Sequence, residues 1–188
     1  MPLSAVHTFG TAASDGSNGA SLPWGASASV LAASDDQYVT AGAPGSNLTQ
    51  YLKLTNPNPT EIGDDDAIQR IIIRIERAKQ GAGLGYVRDE TVQPVVNGAI
   101  SGVNQANLVD DWPIYPDGVA VYDLSASAWG VPSLRGADVK APNFGMVIAA
   151  RNTWQAGGAI VAAIDYVDIQ FDYAPASSVP FTAHGCVC

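Results

Sequence analysis

Ile164-Asp165-Tyr166-Val167-Asp168-Ile169-Gln170-Phe171-Asp172-Tyr173 decides the class of fold. Apolar and polar residues alternate one by one from Val167, the period of a strand with one face in a core. The pattern turns Val167, Ile169, Phe171 and Tyr173 inward. It turns Tyr166, Asp168, Gln170 and Asp172 toward water. Upstream, Phe144-Gly145-Met146-Val147-Ile148-Ala149-Ala150 reads as a second, buried strand. Arg151 to Gly158 reads as a hairpin loop tipped by Gly157-Gly158.

Working back along the chain, the same writing recurs. Tyr38-Val39-Thr40 is a short strand, and Gln50 to Thr55 a better one, with Leu52 and Leu54 on one face. Asn56-Pro57-Asn58-Pro59 ends it, because proline cannot donate to a ladder. Ala67 to Ala78 fits two periods. Ile68, Ile71, Ile72 and Ile75 suit a helix, whereas Ile71, Ile73 and Ile75 suit a strand. The run of β-branched residues and the following Gly81-Ala82-Gly83 favour a strand with a bulge near Gln69-Arg70. Tyr86 to Val96 is its expected hairpin partner, ending at Asn97-Gly98. Asn107 to Gly118 is a polar loop, Val119 to Tyr122 a short strand, and Leu134 to Val139 one helical turn or an edge strand. The expectation is an all-β antiparallel sandwich or jelly roll of seven to nine strands.

A chain of 188 residues fits one domain of this kind. Its 19 glycines and 12 prolines suit many turns. Residues 1–22 are small and polar and read as an extended arm or loosely held strand, with Trp24 as the first large anchor. The sandwich occupies 23–173. The tail, 174–188, is rich in Pro and Ser and reads as irregular. No apolar run approaches the roughly 18 residues of a membrane span. The first residues lack the basic and apolar regions of a secretory signal, so synthesis in a cytoplasm is expected.

Charged residues make up only 14% of the chain, against about 25% in ordinary domains. A surface covered by Ala, Ser, Thr, Gly and Asn suits an interface, so an oligomer or assembly component is expected. The net charge is −9, with Lys53, Lys79 and Lys140 as the three lysines. Nucleic acid is bound by neutralising phosphates, so this balance argues against it as a partner.

Several quoted stretches occur in an order that resembles a family of tailed-bacteriophage virion proteins. They are Trp24, Asp35 to Val39, Leu52 to Asn56, Ala67-Ile68 with the Ile-rich strand ending in Arg77, and Val92 to Gly98. Trp129-Gly130, Asn143-Phe144-Gly145 and Ile164 to Tyr173 complete the series. The likeness spans roughly residues 24–173. Two features depart from the family pattern: Ile62-Gly63-Asp64-Asp65-Asp66 stands where Ile-Pro is common, and the tail bears cysteines. The resemblance implies a β-sandwich that builds or decorates particles. On this reading the chain is a virion protein, a trimeric capsid decoration or cement protein whose partners are the major capsid protein or other virion subunits. The alternative is a tail- or fibre-associated module that binds host glycan.

The candidate chemistry is sparse. Cys186 and Cys188 sit at the C-terminus beside His184. Bridging within Cys-x-Cys is strained, because Cα atoms two positions apart on an extended chain exceed about 6.8 Å. The pair lacks a second ligand pair for zinc. Two thiols on a tail suit intermolecular disulfides to a neighbouring subunit, or they are free and without a role. Asp64, Asp65 and Asp66 form one carboxylate cluster and Asp110 and Asp111 another. Calcium needs six to eight oxygens, and solvated turns explain both clusters better. Asp168 and Asp172 share a strand face about 13 Å apart, too far along one strand for the paired carboxyls of a glycosidase. No nucleophile elbow or phosphate loop occurs, and His7 and His184 lie in the terminal segments. No enzyme activity, cofactor or metal is expected. Trp112, Trp154, Asp110 and Asp111 remain as a candidate sugar-binding face on loops, and the favoured alternative is that each tryptophan packs beneath its own loop to close the sandwich.

Overall fold

The computed structural model describes residues 2–176. Its strands are β1 (His7–Thr8), β2 (Thr11–Asp15), β3 (Val39–Ala43), β4 (Asn47–Leu48), β5 (Tyr51–Thr55) and β6 (Ala67–Gln80). They continue as β7 (Leu84–Val96), β8 (Ala99–Ile100), β9 (Gly118–Ser125), β10 (Gly145–Ala156) and β11 (Ile160–Ala174), with one short α-helix, α1 (Gly136–Lys140), and two 3-10 turns, Gly16–Asn18 and Val30–Ala32. Two antiparallel sheets form. In the first the order is β1-β11-β6-β9, and β3 also pairs with β11. In the second it is β2-β5-β10-β7-β8, and β4 also pairs with β10. The chain changes sheet at every connection except β4 to β5 and β7 to β8. The apolar faces therefore meet in one layer between the sheets, the arrangement expected of a sandwich.

Ile71, Ile73 and Ile75 of β6 and Val167, Ile169 and Phe171 of β11 fill that layer from the first sheet. Leu52, Leu54, Val87, Val92, Met146 and Ile148 fill it from the second. The isoleucine run is thus a strand, as its β-branching favours. The bulge falls at Gln69, where Arg70 pairs with Asp172 and Ile68 with Tyr173. Asn97 and Gly98 have φ of 53° and 81°, matching the type I′ hairpin that Asn-Gly favours.

Four expectations need correction. Among the described residues the strand count is eleven, because β1, β2, β4 and β8 are short segments with little apolar patterning. Of the two readings of the N-terminal segment, residues 2–22 follow the held strand and not the extended arm: β1 pairs with β11, β2 pairs with β5, and Phe9 between them is buried in the core. Ladder hydrogen bonds come from the backbone, so small side chains do not prevent pairing. The loop expected at 151–158 is mostly strand, since β10 runs to Ala156 against β7. Finally, Asp168, Gln170 and Asp172 do not face water; all three are buried. Arg74 of β6 reaches Asp168 at 2.6 Å and Gln170 at 2.7 Å. Arg70 reaches Asp172 at 2.8 Å, and Ser4 covers Gln170 and the Phe171 backbone. A two-residue period shows which residues share a face, not what lies over it.

Candidate functional site

Cys186 and Cys188 lie outside the described residues, as does His184. Trp112 is only 2% exposed, so its ring is not available on a loop face. Trp154 is 37% exposed and donates its ring N–H to Gly158 at 3.1 Å. Asp110 accepts from Asn107, and Asp111 pairs with Arg88 at 2.7 Å. Asp66 accepts from the Gly63 and Ala176 N–H groups, and Lys140 pairs with Asp64. Both acidic turns therefore have partners within the chain. His7 meets Glu61 at 2.8 Å.

Trp112 belongs to a group that ties the two sheets together. Arg77 extends inward from β6, and its guanidinium meets Asp89 on β7. Asp89 also accepts from Tyr122 of β9, and from the Trp112 ring N–H at 2.9 Å. The Arg77 guanidinium lies 5.2 Å from the centre of the Trp112 ring. Burial and the neighbouring Asp89 push the Tyr122 hydroxyl well above the ordinary tyrosine range. With no atom of the group both fully buried and unpaired, and Asp89 1% exposed, it is built to hold the sandwich together, not to meet a substrate.

A second cluster lies at the outer side of the first sheet. Carboxylate oxygens of Glu76, Asp117 and Asp165 all lie within 4.8 Å of one another. Glu76 pairs with Val119 of β9 on one side and Tyr166 of β11 on the other. Asp117 stands immediately before β9. Asp165 is an extra residue in β11, because Ile164 pairs with Arg77 and Tyr166 with the adjacent Glu76. This bulge re-aims the Asp165 side chain.

Asp165 is 1% exposed. Its Oδ2 accepts the backbone N–H groups of Asp35 and Asp36 at 3.1 and 3.2 Å. Asp36 has φ of 63°, a left-handed conformation that aspartate tolerates better than most residues. Two successive N–H groups then face one carboxylate oxygen. The other oxygen, Oδ1, is buried without a hydrogen-bond partner. Burial raises the Asp165 carboxyl above its ordinary pKa; the two N–H groups pull it down, and Asp117 and Asp35 raise it further. Tyr38 donates to Asp117 at 2.7 Å and lies 3.1 Å from Asp36 Oδ1. Burial and these two carboxylates push the Tyr38 hydroxyl far above its usual range. Among the described residues, no Lys, Arg or His forms an ion pair with Glu76, Asp117, Asp165, Asp35 or Asp36.

Sequence reading missed this cluster because its members come from three distant segments. One signal was legible. Ile164 and Val167 are three positions apart, yet both are buried at the core. A strand with a strict period of two cannot turn both inward, so a phase slip between them was required.

The surface offers two further features. An open groove of about 360 Å³ runs between Val96, Gly102, Val131, Pro132, Leu134 and Asp138. The free edge of β9 carries Val119 and Val121, and the loop leading into it carries Ile114 and Tyr115; all four are more than half exposed. No protein-family model and no curated protein sequence matches the chain.

Proposed function

We propose that this chain is a structural subunit of a tailed-phage particle, a capsid decoration protein that stabilises the shell through contacts between subunits. The apolar margin at β9 carries this reading. A strand edge presents unpaired N–H and C=O groups, and proteins usually blunt it with lysine, proline or a covering segment. The opposite case stands in the same molecule: the β7 edge is covered by residues 101–112 through Gln105 to Val92 and Trp112 to Val87. Among the described residues no strand covers the outer edge of β9, and Val119 and Val121 flank it. An edge of this kind suits pairing with a second subunit.

The low charge and the family resemblance support the same reading. Cross-linking through Cys186 and Cys188 belongs to the proposal and is read on non-reducing gels of assembled particles. The glycan-binding alternative has less support, since Trp112 is buried and leaves Trp154 as its exposed aromatic residue.

Light scattering of the purified protein tests self-association, and mass spectrometry of purified particles tests location. The expected outcome is a concentration-dependent oligomer that Val119→Lys with Val121→Lys converts to a folded monomer, and a chain present in particles. A monomer at every concentration, together with its absence from particles, would overturn the reading.

A further inference from the structure

We propose that Glu76, Asp117 and Asp165 form a divalent-cation site, selective for calcium, that locks the bulge of β11 against β6 and the loop before β9. Three observations converge on it. The donors are all hard oxygens, the chemistry that calcium takes. Their mutual separations reach 4.8 Å at most. Calcium binds oxygen at about 2.4 Å, so oxygens on opposite sides of one ion lie about 4.8 Å apart. All three oxygens can therefore reach one ion. Magnesium dehydrates reluctantly and usually takes one or two carboxylates, so three carboxylates on one ion favour calcium.

The third observation separates this cluster from an ordinary acidic patch. Asp165 is buried, and its Oδ1 has no partner. A buried carboxylate oxygen without a hydrogen bond or a counter-charge is strongly disfavoured. Oδ2 is already held by two backbone N–H groups, which orients the carboxylate and leaves Oδ1 for a ligand. Tyr38 performs the same outer task for Asp117, donating to its Oδ2. Ligand carboxylates braced in this way are the usual surroundings of a built metal site. Glu76 and Asp117 are only half-buried, so water can complete the coordination shell. The acidic turns at 64–66 and 110–111 differ on this point: Lys140 and Arg88 already supply their positive charge.

A cation here would join four segments: β6 and β11 directly, the loop before β9 through Asp117, and residues 35 and 36 through Asp165. It would also remove the repulsion among three carboxylates that the chain itself does not neutralise. A proton shared between two carboxylates is the competing explanation, and it predicts no response to cations.

The test uses the full chain, stripped with EDTA and then titrated with calcium chloride, magnesium chloride or terbium chloride. Terbium occupies calcium sites, and nearby aromatic side chains sensitise its emission; Tyr38 is positioned to do so. The expected result is saturable terbium emission that calcium displaces, and a melting temperature that rises more with calcium than with magnesium. Glu76→Gln and Asp165→Asn should each weaken binding by at least about tenfold, while Asp110→Asn leaves it unchanged. The order of stability should also reverse. Without metal Glu76→Gln matches or exceeds the wild type, because a repulsive charge is gone; with calcium the wild type is the more stable. Glu76 is half-exposed, so this variant remains informative if Asp165→Asn does not fold. Absence of saturable binding at millimolar calcium, or binding that survives both substitutions, would overturn the proposal.

Discussion

Replacing Asp89 with alanine is the sharpest perturbation available in this core. Asp89 lies on β7 in the second sheet and is the common acceptor for Arg77, Tyr122 and Trp112. The first two belong to the opposite sheet, so the carboxylate is a cross-link as well as a counter-charge. Removing it leaves the guanidinium of Arg77, a residue only 7% exposed, without its anion. Breaking a buried pair from one side costs about 3–5 kcal/mol. The two orphaned neutral donors each add about 1 kcal/mol where water cannot replace the lost partner. The expected loss is about 5–7 kcal/mol, close to the whole stability of many domains. For a chain of 188 residues this lowers the melting temperature by about 10–28 °C.

Urea unfolding followed by tryptophan fluorescence and circular dichroism measures the loss. A double variant, Arg77→Met with Asp89→Leu, removes both charges and leaves no unpaired ion. It should recover about 2 kcal/mol or more relative to Asp89→Ala, because desolvation offsets much of the attraction in a buried pair. An Asp89→Ala loss below about 1 kcal/mol would refute this reasoning, as would a double variant less stable than the single one.

Two further predictions follow from packing and from charge. Gly145 lies where β10 is paired on both sides, to Thr55 and Val95, and an added Cβ would overlap the Leu54 carbonyl and stand 2.8 Å from the Thr55 Cα. Gly145→Ala should destabilise by about 1–3 kcal/mol in chemical denaturation, and an unchanged midpoint would contradict this account of the strand contact. Burial pushes the Glu61 carboxyl up, but hydrogen bonds from its own backbone, His7 and the Ala5 N–H outweigh that and hold it below the ordinary value of 4.5. A depressed carboxyl contributes stability above its unfolded pKa and loses it as the pH falls through the folded one. The gap between wild type and Glu61→Gln should therefore be present at neutral pH, below about 1 kcal/mol for this partly exposed pair, and should close on acidification below 4.5. A gap independent of pH would sink that assignment.

The sequence by itself determined the class of fold and much of the core. Val167, Ile169 and Phe171 alternate with polar residues, Ile71 to Ile75 are too rich in β-branching for a helix, and Asn97-Gly98 marks a hairpin. Each of these signals is local, because side-chain period and backbone conformation are set within a few residues. What covers the polar face of a strand is not local. Asp168 and Asp172 read as solvent-facing until β6 is placed alongside, bringing Arg74 and Arg70 across them. Residues 7–15 look too small to hold a place, yet their backbone completes an edge of each sheet. The carboxylate cluster depends most on tertiary structure. Glu76, Asp117 and Asp165 are separated by 41 and then 48 residues, and only strand pairing and one bulge bring their oxygens within 4.8 Å. Electrostatic sites are decided by distance in space, and distance in space is the quantity that a periodicity along the chain does not contain.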